Sequence, residues 1–197
     1  MRAHKKLHVG CGRNILRGYV NVDQTSLTGA DVVHDLTLFP WPFADGEFSE
    51  VIMIDVLEHL PNVLRTMEEL FRITTAQARI AIRVPYYNSW DASHDPTHEH
   101  IFNENSFDFF DPAKQTGALR SYYSSAAFHI RTIGYLIYVN NRSRLLCDSD
   151  VDPMNVQLPR PYDKSILRSS LMKKIYTKLG HKIGNTIRTL HVELVRH

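Results

Sequence analysis

Cysteine is scarce: Cys11 and Cys147 are the only two in 197 residues. Two thiols cannot build a disulfide framework or a four-thiolate zinc site, and their scarcity points to a reducing compartment. Long apolar runs are missing as well. No stretch approaches the roughly 18 apolar residues of a membrane span, and Met-Arg-Ala-His-Lys-Lys at the N-terminus leads into only a short apolar run, so no signal peptide is expected. There is no internal repeat and no low-complexity segment. A content of 43% hydrophobic and 22% charged residues argues against disorder or a fibrous array. The length suits one sizeable domain and not two, so residues 1–197 are read as a single cytoplasmic domain.

Excess charge of either sign is also missing, since the formal net charge is only +2. Its distribution is uneven. Residues 164–197 carry 8 of the 23 Lys and Arg but 1 of the 21 Asp and Glu, a local excess of seven positive charges. Such asymmetry is a possible sign of an anionic partner.

What is present is a series of short β-branched runs. Leu7-His8-Val9 enters Gly10-Cys11-Gly12, Tyr19-Val20-Asn21-Val22 ends at Asp23, and Asp31-Val32-Val33-His34 ends at Asp35. Val51-Ile52-Met53-Ile54 ends at Asp55, and Arg79 to Val84 stops at Pro85. Runs of three to six such residues are too short for helices and suit buried parallel strands. Val63 to Thr74 has near-helical apolar spacing, so strand and helix alternate as in an α/β sheet. Residues 86–125 are aromatic-rich and aperiodic, read as loops with one short helix around Glu104 to Phe110. Phe128 to Val139 is β-prone and is followed by an irregular stretch holding Pro153, Pro159 and Pro161. Leu167, Leu171, Ile175, Leu179 and Ile183 mark an amphipathic helix over 164–185, and Thr189 to Val195 suits a last strand.

Ligands of open parallel sheets bind outside the carboxyl ends of the strands. One strand here ends in a glycine turn, which lets a ligand approach the backbone, and three others end in Asp23, Asp35 and Asp55. A carboxylate in that position can accept hydrogen bonds from a ribose diol. An acid beside an apolar residue, Asp35-Leu36, suits an adenine. Each Asp alone is an ordinary turn or cap residue; their agreement in order favours a ligand site.

Val9-Gly10-Cys11-Gly12, Gly18-Tyr19-Val20-Asn21-Val22-Asp23, Ala30 to Leu36, Phe43 to Ser49 and Val56-Leu57-Glu58-His59-Leu60 together resemble the short, type-11-like class I S-adenosylmethionine (SAM)-dependent methyltransferases. The resemblance covers residues 7 to about 85 well and the remainder in outline. It implies an α/β, Rossmann-like sheet of seven strands, mostly parallel with an antiparallel last strand and helices on both faces. It places Gly10, Cys11 and Gly12 at the methionine moiety of S-adenosyl-L-methionine, Asp23 at the ribose, Asp35 and Leu36 at the adenine, and Asp55 and Val56 near the sulfonium. Two departures stand out. His8 replaces the usual acid two residues before the first glycine, and Asn14 stands at the third glycine position. Only Arg13 to Gly18 separate the glycine turn from the next strand, where a parallel crossover normally takes a dozen residues or more. The first helix must be reduced to a turn, leaving the pocket more open on that side. By the same shortness a dinucleotide-binding dehydrogenase, whose glycine motif opens a full helix, fits worse.

Methyl transfer needs alignment above all, and a base only where the acceptor carries a proton. His59, just after the fourth strand, and His94 and His98, just after the fifth, are the catalytic candidates, because histidine titrates near neutral pH. Glu58 is read as structural. His94, His98 and His100 have a spacing that would permit a metal, but on a loop it is not diagnostic, and no metal is assigned. The segment 86–125 is read as acceptor site or lid. No basic groove runs through it, so a small-molecule or sugar acceptor fits better than a nucleic acid. The basic helix is expected to pack its Leu/Ile stripe on the sheet; contact with an anionic membrane surface or with nucleic acid are the alternatives. A non-catalytic, methyltransferase-like binding module is the rival reading for the whole chain.

Overall fold

The first-half runs become parallel strands in sequence order. The computed structural model describes residues 5–139, 142–147, 166–168 and 170–197. The strands are β1 (Lys5–Val9), β2 (Val20–Asp23), β3 (Val32–Val33), β4 (Phe48–Ile54), β5 (Thr74–Pro85), β6 (Phe128–Val139), β7 (Arg142–Cys147), β8 (Ile166–Arg168) and β9 (Ile187–Arg196). The helices are α1 (Val63–Ile73), α2 (Trp90–Ser93), α3 (Gln115–Arg120) and α4 (Ser170–Gly180). Among the described residues the sheet order is β3-β2-β1-β4-β5-β9-β6-β7-β8. β3 through β5 pair in parallel, and β9 lies antiparallel between β5 and β6. The first seven strands of that order are the ones expected. β7 and β8 extend the edge, with β7 forming a hairpin on β6 through the Val139–Arg142 pair.

Strand alternation separates two faces. Val51 and Met53 of β4, Ile80 and Ile82 of β5, and Val192 and Leu194 of β9 are fully buried in one core with Met67, Leu70 and Ile73 of α1. Each such burial contributes about 1.5–3 kcal/mol. Helix α1 starts where Asn62 Oδ1 accepts the Arg65 N–H (3.0 Å) and ends as the Thr74 hydroxyl donates to the Leu70 carbonyl (2.6 Å). The Phe43-to-Ser49 motif is tied to this helix. Arg72 donates to the Trp41 and Phe43 carbonyls and pairs with Glu69, which in turn accepts the Trp41 N–H.

The reverse face is charged. Glu50 bridges Lys6 and Arg79, Arg79 reaches Glu193, and Glu193 meets Arg131. The shortened 13–18 connection crosses this face as turns rather than a helix. Asn21 pins it by accepting the Leu16 N–H (2.8 Å) and donating to the Leu16 and Tyr19 carbonyls. His8 is buried on the same face, its Nδ1 3.3 Å from Asn21 Oδ1, and so has a packing role there.

Two expected elements differ, and a third lies outside the described residues. The short helix near residue 104 is a 3-10 turn, Ser106–Phe110. The basic helix spans only Ser170–Gly180, because Leu167 lies in β8 and pairs with Leu146 on the open edge of β7. The Pro-rich stretch holding Pro153, Pro159 and Pro161 falls outside the described residues. The Leu/Ile stripe of α4 does not pack on the sheet: Leu171, Ile175, Leu179 and Ile183 are 66, 40, 39 and 57% exposed. Positions 173, 176, 177 and 180 face inward instead. Lys173 lies over the Tyr135 ring, Thr177 bonds the Tyr135 hydroxyl, and Gly180 admits Ile187, whose Cδ1 would lie 2.8 Å from an added Cβ.

Candidate functional site

The sheet reverses its winding between β1 and β4, and a cavity of about 690 Å³ opens at their carboxyl ends. Gly10, Asp23, Asp35, Leu36, Asp55, Val56 and His59 line it. Cys11 is buried beneath, and burial pushes its thiol pKa up. Gly10 must be glycine: its φ is +62°, and a Cβ would sit 2.3 Å from a Val56 methyl. Gly12 also has positive φ, but faces open space. Its N–H donates to Asp23 Oδ2 (2.8 Å), while Thr25 N–H reaches the other oxygen (3.3 Å). Asp35 accepts the backbone N–H and hydroxyl of Thr37, which hold its carboxyl below the usual range. Asp55 takes a left-handed backbone conformation (φ 53°) and is clamped by both arms of the Arg83 guanidinium.

The three histidines expected at the acceptor side share one smaller cavity but differ in what holds each ring. His59 lines the large cavity and also a second one of about 260 Å³, shared with His94, His98, Asp55, Glu58, Arg83, Asp91, Asp95 and Arg188. His59 and His98 approach edge to face, with ring centroids 4.6 Å apart. His94 stacks instead on Trp90 at 4.0 Å, and His100 Nε2 points to the Pro61 carbonyl (3.3 Å). The loop bearing these residues is sewn onto the β4 end by two backbone bonds, from the N–H groups of Glu99 and His100 to the Glu58 carbonyl (2.8 and 3.2 Å). Of the dense aromatics, Tyr86, Phe102, Phe107 and Phe110 build core, while Trp90, Tyr122 and Tyr123 are exposed.

Gln24, Thr37 and Thr97, which the sequence reading does not single out, also line the large cavity. Glu58, read as structural, is 1% exposed, and neither carboxylate oxygen has a hydrogen-bond partner. Burial pushes its pKa up to about 8, with a further push from Asp55.

Solved structures share this architecture. A SAM-dependent methyltransferase from Archaeoglobus fulgidus superposes with a TM-score of 0.60 at 14% identity, covering 99% of this chain and 87% of that one. This chain has the class I SAM-dependent methyltransferase fold. A SAM-dependent methyltransferase from Thermotoga maritima gives 0.56 at 10% identity, over 100% and 84% of the two chains. The YcgJ protein from Bacillus subtilis gives 0.53 at 14%, over 98% and 92%. No protein-family model matches the sequence, and neither does any curated protein. Among the described residues no helix is long and apolar enough to cross a membrane.

Proposed function

We propose that residues 1–197 form one SAM-dependent methyltransferase domain acting on a small-molecule or sugar hydroxyl or amine. The observation that carries this reading is the cavity at the β1–β4 reversal, ringed in chain order by a glycine that admits no Cβ and by Asp23, Asp35 and Asp55. Those residues fit SAM. Asp23 stands where a ribose diol would donate, Asp35-Leu36 offers a polar edge beside an apolar face, and the Gly10–Gly12 turn leaves its backbone open to the methionine moiety. Bound there, SAM would supply an electrophilic methyl for the acceptor's lone pair, with S-adenosylhomocysteine and a proton as the other products.

The chain's own part is to align the acceptor and to hold that proton. His59 lies on the wall common to both cavities, between the cofactor end and residues 91–98. The Thr97 carbonyl only accepts, so His59 Nδ1 carries hydrogen and Nε2 keeps its lone pair. His98 is set the same way by the Ala92 carbonyl. Either Nε2 is a site for the acceptor proton. The test incubates the chain with methyl-labelled SAM and a panel of small hydroxyl, amine and sugar acceptors. Label transferred to a panel member supports the reading; a chain that binds SAM but modifies only protein or nucleic acid overturns the acceptor class.

A second surface supports peripheral membrane contact. The outward Leu171, Ile175 and Leu179 face of α4 is flanked by the exposed Lys174 and Lys178, an apolar stripe with a cationic border. Binding to anionic but not neutral vesicles, lost in Ile175→Ser/Lys178→Glu, is expected; no binding at low salt refutes it.

A further inference from the structure

We infer that Glu58, His59 and His98 form a site for one divalent transition-metal ion at the acceptor end of the crevice. One ligand atom from each of the three lies within 4.8 Å of the others. In a tetrahedral site with bonds of about 2.1 Å, ligand atoms stand about 3.4 Å apart, a separation that small side-chain movements reach from here. Two imidazoles and a carboxylate are the donor set of zinc and its neighbours, and three protein ligands leave a coordination position open.

Independent observations point the same way. Glu58 is buried with both oxygens unpartnered, on the wall of the cavity it shares with His59 and His98. A buried carboxylate without a partner is costly, and a cation at this point would satisfy it. The imidazoles are fixed as ligands require. His98 Nδ1 donates to the Ala92 carbonyl (3.1 Å), which leaves Nε2 free to coordinate. Thr97 Oγ1 donates to Asp95 Oδ1 (2.7 Å) and therefore accepts from His59 Nδ1 (3.0 Å), fixing that tautomer as well. Second-sphere bonds of this kind accompany metal-ligating histidines. Arg83 pairs with Asp55 and Arg188 with Asp91, so each guanidinium on the cavity wall is matched by a carboxylate.

The role of the ion rests on the methyltransferase reading; its binding does not. An acceptor oxygen held against it becomes more acidic, so in the metal-loaded protein His59 and His98 act as ligands rather than bases.

The test uses the full chain, stripped with chelator and titrated with Zn²⁺ and Co²⁺ by calorimetry and visible absorption. One equivalent should bind, with a tetrahedral Co²⁺ spectrum. Glu58→Gln and His98→Ala should each weaken binding about a hundredfold or more, and Thr97→Ala about tenfold. His94→Ala should change it less than threefold, since that ring is held on Trp90. Thermal melts of all four variants check folding, and the half-buried His98 site supplies a readout should Glu58→Gln fail to fold. No binding by wild type, or binding indifferent to Glu58→Gln and His98→Ala, overturns the site. SAM titration of the stripped chain is run in parallel: metal binding without SAM binding would leave the site standing and remove the methyltransferase reading, and the reverse outcome would do the opposite.

Discussion

At the Gly10 end of the crevice the carboxylates already have partners; at the Glu58 end a buried carboxylate has none. Asp23 holds the glycine turn and Asp35 holds Thr37, so the cofactor half is shaped by its own backbone. Glu58, His59 and His98 are brought together by a docked loop and leave one carboxylate and two imidazole nitrogens open. The first half is therefore held by its own backbone, while the second leaves polar atoms facing the cavity without partners.

The largest expected effect breaks the acceptor half. His59→Ala should lower kcat about 10²–10⁴-fold while SAM affinity stays within about threefold; equal losses in both would place His59 in cofactor binding. Chelator sharpens the result. Wild-type activity that survives chelation marks His59 as a base, and activity that vanishes marks it as a ligand. The next effect breaks the cofactor half. Gly10→Ala adds about 1–2 kcal/mol of left-handed strain and an overlap with Val56, so SAM affinity should fall about a hundredfold and the melting temperature should drop. A variant with wild-type SAM affinity would show that the turn does not shape the pocket.

The smallest effect lies beneath both halves, on the charged face of the sheet. His191 is buried there beside Arg83, and burial followed by that charge lowers its pKa to about 3; burial lowers His8 as well. Both are neutral when folded, whereas the unfolded chain protonates them below about 6.5. Stability should be full above pH 6.5 and fall progressively toward pH 3. Replacing His191 with Gln should flatten part of that slope in denaturant titrations at stepped pH. An unchanged slope would remove His191 from the account.

That Gly10, Asp23, Asp35 and Asp55 line one crevice is legible in the sequence because the information is local. Buried parallel strands are written as β-branched runs, and Asp23, Asp35 and Asp55 follow them directly. The acceptor half depends on contacts remote in sequence. His98 meets His59 across 39 positions through backbone bonds to the Glu58 carbonyl, and nothing in the composition of residues 91–100 announces that docking. The Arg83 clamp on Asp55 also spans 28 positions. β7 is not legible because its polar start, Arg142-Ser143-Arg144, leaves only Leu145-Leu146-Cys147 as an apolar run, too short to mark a strand. The α4 stripe was misplaced because its apolar period alone cannot show which face meets the sheet. Gly180 and Tyr176 decide that.

The most direct test of the central claim is calorimetry of SAM and S-adenosylhomocysteine against wild type and Asp23→Ala. The account predicts one-site binding by the wild type and a tenfold to hundredfold loss in the variant, the equivalent of about 1.5–3 kcal/mol for a charged hydrogen-bond partner. A wild-type chain that is folded and binds neither ligand would contradict it.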